Sequence, residues 1–397
     1  MYNLYVMGNE ISFKQITDNT PTFVFDETEL TERVESIHKI LGDIRLCYSI
    51  KANPFLIPSI LSLVDYLEVC SPGELMICKD QKVPGKKIIY SGVHKDAEDI
   101  EEAIVYGAAI LTAESIRHFD LITEVSEKTG KKVNVILRLT SGNQFGMSAE
   151  DIESILKRKT SNITIKGIHY FAGTGRRSAK RKQAELEKLT TFMSDLEKKC
   201  GCKLPMLEYG PGLPHQYFID EDFSDTLLPL REIASDLKKV SKQRTLSIEM
   251  GRFIASSCGY YMTQICDIKK SGDANYIIVD GGINHVNYLG QMVGMKIPVI
   301  KQMRDGRFAA APAEDAEKYT VCGSLCTVND VLVRELPLND PRIGDILMFF
   351  NIGAYSVTEA PALFLSRDIP SVVMYDGKSM RQVRSRMGSW IINTADR

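Results

Sequence analysis

The chain has 397 residues, of which 44% are hydrophobic and 25% are charged, and these proportions are typical of a globular protein. This length predicts two domains, or one barrel with an appended domain. The formal net charge of -2 gives no electrostatic reason to expect a nucleic acid or an anionic membrane as a partner, and no apolar run is long enough for a membrane span.

The nine cysteines show neither CxxC nor Cys/His spacing. This pattern favours reduced thiols in the cytosol over a disulfide framework or a zinc site, so we expect no metal. The N-terminus MYNLYVMGNEISF lacks the pattern of a signal peptide. We therefore expect a cytoplasmic protein.

From about residue 45, short apolar runs alternate with amphipathic stretches such as DAEDIEEAIVYG. The apolar runs predict eight β-strands: 45–52, 66–71, 87–92, 109–114, 132–140, 163–171, 205–210 and 245–250. Strands that alternate with helical patterns indicate parallel βαβ units. Eight such units fit an α/β fold of the (β/α)₈ TIM-barrel type, and an open doubly wound sheet is the alternative.

After residue 255 the runs become β-type and are separated by turn residues, as in GYYMTQICDIKK, NYIIVDGG and SVVMYDGK. They predict a C-terminal β-rich domain, a sandwich or a barrel. The run TPTFVFD near the N-terminus is one more strand that we expect to join this domain. The predicted organisation is a segment 1–30 that joins the C-terminal domain, a barrel over 31–255 and a β domain over 256–397.

Unusual polar residues stand at the C-terminal ends of the predicted strands, where barrels of this type carry their catalytic groups. Lys51 ends the first strand, Glu68 lies in the second with Ser71 and Glu74 following, and Arg138 lies near the end of the fifth. Lysine is rarely buried unless it is paired or takes part in chemistry. Taken alone, Lys51 also fits a lysine at a strand end whose amine reaches solvent.

The loops after the seventh and eighth strands predict a phosphate site. EYGPGLP places Gly210 and Gly212 in a tight turn that lets backbone N–H groups approach an anion, and EMGRF adds Gly251 and Arg252. A phosphate site that faces the strand-one lysine points to pyridoxal phosphate, whose aldehyde forms a Schiff base with an amine. Glu249 is the candidate carboxylate for the pyridine nitrogen of that cofactor; a structural pairing with Arg252 is the alternative.

These motifs resemble those of the fold-type III pyridoxal-phosphate decarboxylases, the group that contains diaminopimelate, ornithine and arginine decarboxylases. YSIKAN resembles the YxxKAN segment, which implies that Lys51 is the Schiff-base lysine. EVCSPGEL, RLTSGNQFGM and SIEMGRF resemble three further motifs, and the last implies Glu249 at the pyridine nitrogen. The resemblance implies cofactor contacts from a set of residues in these motifs: Glu68, Arg138, Gly210, Gly212, Gly251 and Arg252.

Two C-terminal motifs extend the resemblance to nearly the whole chain. VCGSLCTVNDVL resembles G-P-x-C-x-x-x-D, and NIGAYSV resembles the G-A-Y element. The resemblance implies that Cys326, supplied by the partner subunit, protonates Cα after carbon dioxide leaves, and that Tyr355 contacts the cofactor. It also implies a homodimer with shared active sites. On chemistry alone, a thiol in a β-turn is more often inert.

The chain departs from the family pattern after the sixth strand and after the seventh. GIHYFAGTG places Phe171 where the family has a histidine stacked on the pyridine ring, and Thr174 at the phosphate-binding serine. An aromatic ring can still stack on the cofactor. His169 is interpreted as a scaffold residue. Pro211 between the two glycines removes one possible N–H donor to the phosphate.

The third departure concerns the substrate. Decarboxylases of basic and diamino acids have an acidic residue after the catalytic cysteine, and this chain has Thr327. A distal ammonium group would therefore lack its partner. The pattern resembles the branch of specialised metabolism that acts on glutamyl groups tethered to an acyl-carrier protein or on siderophore intermediates.

The sequence thus predicts a decarboxylase that removes the α-carboxylate of an amino acid or an amino-acid-derived substrate through a Schiff base with Lys51. An amino-acid racemase is the nearest alternative, but it would carry an arginine where this chain has Glu249. A diaminopimelate or ornithine decarboxylase of primary metabolism is a second alternative. A non-catalytic homologue is a third, and it would tend to lose Lys51, Arg252 or Cys326, all of which are present.

Overall fold

The computed structural model describes residues 19–288 and 294–395. These residues form two compact units. The first contains Thr31–His215 and Leu227–Ile254, and the second contains the residues up to Leu30, Gln216–Thr226 and the chain from Ala255 onward. Gln216–Thr226 belongs to the second unit, although it lies within the range 31–255 that the sequence predicted for the barrel.

The first unit is a closed barrel of eight parallel strands, as the alternation of apolar and amphipathic runs predicted. The barrel closes by pairing of its first strand with its last, which excludes the open sheet. The strands are β2 (Arg45–Ser49), β3 (Tyr66–Val69), β4 (Ile88–Tyr90), β5 (Ile110–Ala113), β6 (Val133–Arg138), β7 (Ile163–Phe171), β8 (Met206–Gly210) and β9 (Thr245–Met250).

Helices connect the strands, and most of them begin where a side chain caps the first turn. Ser115, Ser148 and Ser178 each accept the N–H of the residue three positions on, which satisfies a donor that has no partner within the helix. The helices are α1 (Glu27–Leu41), α2 (Ile57–Ile60), α3 (Pro72–Asp80), α4 (Ala97–Tyr106), α5 (Ile116–Thr129), α6 (Ala149–Leu156), α7 (Ala179–Cys200), α8 (Leu228–Ser241), α9 (Arg252–Ala255) and α10 (Ser356–Glu359).

The interior of the barrel changes from apolar to polar along the strands. Side chains from five of the barrel strands form a buried apolar cluster: Cys47, Ile89, Ile110, Ile136 and Met206. Because alternate residues of a strand face the same side, the inward positions two residues further on carry polar groups. Among them are Ser49 after Cys47 and Glu208 after Met206. The apolar layer therefore lies beneath a polar layer at the C-terminal end of the barrel.

The first barrel strand is shorter than predicted. It ends at Ser49, and Lys51 lies in a single 3₁₀ turn, Ile50–Ala52, rather than at the strand end. The turn is short because Asn53 adopts an extended conformation, and its side chain caps the next turn, which begins at Pro54. Lys51 thus stands on a tight turn immediately above the barrel strand.

The second unit contains a mixed ten-stranded sheet. The N-terminal strand β1 (Thr22–Asp26) pairs antiparallel with β10 (Gly259–Ser271) and parallel with β17 (Ser371–Tyr375). The strands are β1 (Thr22–Asp26), β10 (Gly259–Ser271), β11 (Ala274–Val279), β12 (Ile300–Arg304), β13 (Arg307–Phe308), β14 (Lys318–Cys322), β15 (Val331–Pro337), β16 (Ile346–Phe349), β17 (Ser371–Tyr375) and β18 (Met380–Arg384). A β-rich C-terminal domain is therefore confirmed.

No helix within the described residues combines the length and the apolar character that a membrane span requires.

Candidate active site

Lys51 lies at the C-terminal end of the barrel between two carboxylates. Its Nζ atom donates a hydrogen bond to Glu68 Oε2 at 2.8 Å and lies 3.6 Å from Glu249 Oε1. Burial would lower the pKa of Lys51, but Glu68 and then Cys70 and Glu249 raise it well above its ordinary value. Without cofactor, the amine is therefore held as an ammonium ion.

Glu249 is buried on β9 and is held by groups from two other strands. The Ser49 hydroxyl donates to Glu249 Oε1 at 3.1 Å, and His169 Nε2 lies 3.0 Å from Glu249 Oε2. Burial alone would raise the pKa of Glu249, but the Lys51 ammonium and the hydrogen bond with His169 hold that pKa well below its usual range. Glu249 is consequently a fixed, ionised carboxylate.

The sequence interpretation of His169 as a scaffold residue missed this contact with Glu249. The two residues are 80 positions apart, on β7 and β9, and they meet because both strands flank β8 in the barrel. Burial would lower the pKa of His169, but its hydrogen bond with Glu249 and the charge of that carboxylate raise it. A histidine at an inward position of a barrel strand was the only sequence signal for this role.

Glu208 is a second residue that the sequence analysis missed. It lies on β8, its side chain is 1% exposed, and neither carboxyl oxygen has a hydrogen-bond partner among the described residues. Burial raises the pKa of Glu208 to about 8. The charge of His169 and, less strongly, the thiol of Cys47, a weak donor, lower this pKa in part.

Ser71 and Glu74, which follow β3, serve the start of α3. The Ser71 hydroxyl accepts the N–H of Glu74 at 3.1 Å, and the Glu74 carboxylate accepts the N–H of Cys70 at 2.6 Å. This arrangement satisfies backbone donors at the start of the helix. It also fixes Cys70, whose Sγ atom lies 3.6 Å from Lys51 Nζ.

Arg138 is buried at the end of β6 in an ion pair with Glu114, whose Oε1 lies 2.6 Å from Arg138 Nη1. The second oxygen of Glu114 accepts the N–H of Gly146 at 3.2 Å, which fixes the loop after β6. Nearby, Lys95 donates to the carbonyl of Gly92, and burial lowers the pKa of this lysine to about 8. Lys95 is thus a buried amine of the barrel unit with a lowered pKa.

The turn after β8 packs against the turn after β7. A Cβ atom at Gly210 would lie 2.5 Å from the ring of Phe171, and one at Gly212 would lie 1.7 Å from the carbonyl oxygen of Gly173. Gly212 also has φ +58°, a backbone conformation that favours glycine. Thr174, next in the β7 turn, is exposed. The β8 turn, which was predicted to bind phosphate, therefore lies against the β7 turn that carries Thr174.

Gly251 and Arg252 begin the short helix after β9. A Cβ atom at Gly251 would lie 3.0 Å from the Cβ atom of Ala52, which follows Lys51. The glycine thus allows the β9 turn to lie close to the turn that carries the lysine. The structure brings Lys51, Glu68, Glu249 and the glycine turns together at one end of the barrel.

In the second unit, Cys326 and Thr327 lie on a loop that Asp330 holds in place. The Asp330 side chain is 2% exposed, and its two oxygens accept the N–H groups of Ile283 at 2.9 Å and Leu325 at 2.7 Å. Cys326 is exposed at the surface of this loop. Asp330 is a positioning residue for Cys326 that the sequence analysis recorded only as part of a motif.

Tyr355 precedes α10 and has φ +70°, an unusual backbone conformation for a residue with a side chain. It accepts, through its carbonyl oxygen, the N–H groups of Thr358 and Glu359. Its predicted contact with a cofactor remains a prediction.

The residues at this end of the barrel fit pyridoxal phosphate. Lys51 offers an amine, and the ionised Glu249, whose Oε1 lies 3.6 Å from that amine, offers an acceptor for a protonated pyridine nitrogen. Within the described residues, no group of three or more His, Cys, Asp or Glu side chains is arranged to hold a metal ion.

The fold and this site define a pyridoxal-phosphate-dependent enzyme with a (β/α)₈ barrel. Residues 27–256 match the family model described as "Pyridoxal-dependent decarboxylase, pyridoxal binding domain". The match covers more than half of the chain, and the protein belongs to this family of carboxy-lyases. It is a pyridoxal-phosphate-dependent amino-acid decarboxylase of the diaminopimelate and ornithine decarboxylase type.

Curated relatives share about a quarter of their residues with this chain. A diaminopimelate decarboxylase of Aquifex aeolicus is 25% identical over 96% of this chain and 93% of its own length. An L-glutamyl-(BtrI acyl-carrier protein) decarboxylase of Niallia circulans is 25% identical over 81% of this chain and 79% of its own length. The two identities are equal, but the match to the diaminopimelate decarboxylase covers more of both chains.

Solved structures show the same fold. Diaminopimelate decarboxylase of Methanocaldococcus jannaschii in complex with L-lysine has a TM-score of 0.80 at 22% identity and covers 92% of this chain and 89% of its own. A lysine/ornithine decarboxylase of Vibrio vulnificus has a TM-score of 0.79 at 18% identity, with coverages of 92% and 96%.

Proposed function

We propose that this decarboxylase acts on an amino acid whose distal end carries no free ammonium group, such as a glutamyl group tethered to an acyl-carrier protein or a siderophore intermediate. The observation that carries the proposal is Thr327, next to Cys326, where decarboxylases of diamino acids have a carboxylate. A hydroxyl leaves a distal ammonium ion without a charged partner.

The contacts of the loop support this proposal. Asp330 is the carboxylate nearest to Thr327 in sequence, and both of its oxygens are committed to backbone N–H groups in a buried position. Arg367 donates to the carbonyl of Ser324 at 2.7 Å, so an exposed cation lies against this loop in addition to the buried Asp330. Such surroundings favour a neutral or anionic distal group.

In this proposal Lys51 holds the cofactor and Glu249 binds its pyridine nitrogen. When bound, pyridoxal phosphate supplies an electron sink for the carbanion that loss of carbon dioxide leaves at Cα. The backbone turns at Gly212 and Gly251, with Arg252, bind the phosphate, and Phe171 packs against the ring.

Cys326 of a second copy of the chain completes the site and protonates Cα. Its exposure on the loop held by Asp330 supports this role, because a thiol that acts on another subunit must reach the protein surface. The protein is therefore proposed to be a homodimer with shared active sites.

The test is carbon dioxide release by the cofactor-loaded protein from a panel of substrates. The panel contains free diaminopimelate, ornithine, lysine and glutamate, a carrier-tethered glutamyl group, and a citryl-type siderophore intermediate. Release from tethered or acylated substrates alone would support the proposal. Efficient release from a free diamino acid would contradict it and assign the protein to primary metabolism.

A pair of variants sharpens this test. Thr327→Glu restores a carboxylate after the cysteine, and Thr327→Gln has nearly the same shape without the charge. We expect the Glu variant to release carbon dioxide from free diamino acids about tenfold faster than the Gln variant, since a charged hydrogen bond contributes about 1.5–3 kcal/mol. Equal rates would show that this position does not select the distal group.

A further inference from the structure

The barrel interior contains a row of buried polar atoms without protein partners. His169 Nδ1, both carboxyl oxygens of Glu208 and Ser247 Oγ have no hydrogen-bond partner among the described residues. The three side chains are 2%, 1% and 0% exposed. On the neighbouring strands β7, β8 and β9, His169 lies opposite Glu208, and Glu208 lies opposite Ser247.

This row lies directly beside Glu249. Ser247 precedes Glu249 by two positions on β9 and so faces the same side of the strand. His169 presents its other nitrogen, Nε2, to Glu249 Oε2 at 3.0 Å. The strand register thus places Glu208 and Ser247 next to the His169–Glu249 pair.

Buried polar atoms of this kind require partners. An unsatisfied buried donor or acceptor costs about 1–3 kcal/mol, and native proteins hold such groups with ordered water that makes about three hydrogen bonds. An imidazole nitrogen, a carboxyl group and a hydroxyl in one row supply the mixture of donors and acceptors that such water needs.

The charges around Glu208 favour its neutral form. Burial raises its pKa to about 8, and the carboxylates of Glu249 and Glu68 act in the same direction, whereas His169 and Cys47 oppose them. A protonated carboxyl group is both a donor and an acceptor. It can therefore bond to water beside His169 without adding a negative charge next to Glu249.

We propose that His169 and Glu208 are positioning residues for Glu249, joined to each other and to Ser247 by buried water. His169 holds one oxygen of Glu249 while Ser49 holds the other, so the carboxylate keeps one orientation. Glu208, through water, satisfies Nδ1 of His169 in either protonation state of the imidazole. The inference rests on the proposed role of Glu249 at the pyridine nitrogen and does not depend on which substrate is used.

Ionisation of Glu208 would place a further negative charge in the row and disturb the His169–Glu249 pair. The environment of the pyridine nitrogen would then change, and the visible absorption of the bound cofactor would change with it. We therefore expect the cofactor-loaded, substrate-free protein to show a spectral transition with a midpoint near pH 8, the pKa of Glu208.

The first experiment titrates this absorption in three proteins. Glu208→Gln keeps the shape of the side chain and removes its ionisation, so the transition should disappear. Lys95→Gln is the matched control, because Lys95 is also buried and also has a pKa of about 8. A transition that persists in Glu208→Gln, or that vanishes in Lys95→Gln, would overturn the proposal.

The second experiment measures cofactor affinity by equilibrium titration of the apoprotein. His169→Phe removes the donor to Glu249 and should weaken binding about 10- to 100-fold, whereas His169→Gln keeps a donor and should restore most of the affinity. Equal affinity of the two variants at equal thermal stability would contradict a positioning role. Glu249→Gln tests the proposed contact of Glu249 with the pyridine nitrogen of the cofactor. If this variant has an unchanged absorption spectrum and unchanged cofactor affinity, that contact is contradicted, independently of the result with the substrate panel.

Discussion

The amine nitrogen of Lys51 lies 2.8 Å from Oε2 of Glu68 on the neighbouring barrel strand. The amine stays protonated in the cofactor-free protein, because Glu68, Cys70 and Glu249 together outweigh the effect of burial on the pKa of Lys51. An ammonium ion has no lone pair with which to attack an aldehyde. Glu68 thus controls how readily the lysine takes up its cofactor.

We expect Glu68→Gln to make cofactor loading faster at neutral pH. Removal of the carboxylate lowers the pKa of Lys51, so the profile of loading rate against pH should move to lower pH. Stopped-flow absorbance during mixing with pyridoxal phosphate measures this rate. Glu102→Gln, which alters a carboxylate paired with Lys79 on the helices, should leave the profile unchanged.

Reduction of the loaded protein with borohydride should fix the cofactor on Lys51. The geometry favours this lysine because it lies beside Glu249, the proposed partner of the pyridine nitrogen. Mass spectrometry of peptides after digestion locates the modification. The informative competitor is Lys95, whose pKa of about 8 makes it the better free nucleophile at neutral pH; modification there would contradict the assignment.

Mixing two inactive variants should restore activity if the sites are shared between subunits. Lys51→Ala and Cys326→Ala are each expected to be inactive alone. Random exchange makes half of the dimers mixed, and each mixed dimer has one complete site, so activity should return to about a quarter of the unmodified level. Activity that stays at the level of the separate variants would place both residues in one subunit's site.

Gly212→Ala should destabilise the protein far more than Gly201→Ala. Both glycines have positive φ, but a Cβ atom added at Gly212 meets the Gly173 carbonyl oxygen, whereas one added at Gly201 has no described atom within 4 Å. We expect a loss of about 1 kcal/mol at Gly201 and of about 3–4 kcal/mol at Gly212. Urea unfolding measures both, and similar losses would mean that the β8 turn shifts freely.

The stability of the apoprotein should depend on pH through Glu208. Its pKa is raised from 4.5 to about 8, so between these values the native state binds more protons than the unfolded chain, and the free energy of unfolding falls as pH rises. Comparison with Glu208→Gln isolates this contribution, which is roughly 3–5 kcal/mol across the window. Parallel curves for the two proteins would show that Glu208 has an ordinary pKa.

Local patterns in the sequence were sufficient for the eight barrel strands and for the residues at their ends. Strand and helix periods are properties of neighbouring residues, so the runs predicted the strands with errors only at their ends, such as the early end of β2 at Ser49. The candidate residues Lys51 and Glu249 could also be identified from the sequence, because the C-terminal ends of parallel strands meet at one end of a barrel.

Only the tertiary structure decided which of these side chains are in contact and which polar side chains lie together inside the barrel. His169 and Glu249 are 80 positions apart, and Ser49 and Glu249 are 200 apart, so no local pattern relates them. The burial of Glu208, which keeps it neutral, likewise arises from all the strands that surround it. The sequence by itself determined the barrel and the approximate ends of its strands. The charges and partners of Glu208, Glu249 and His169 were decided by the tertiary structure, because the folded barrel removes these side chains from water and places them next to each other.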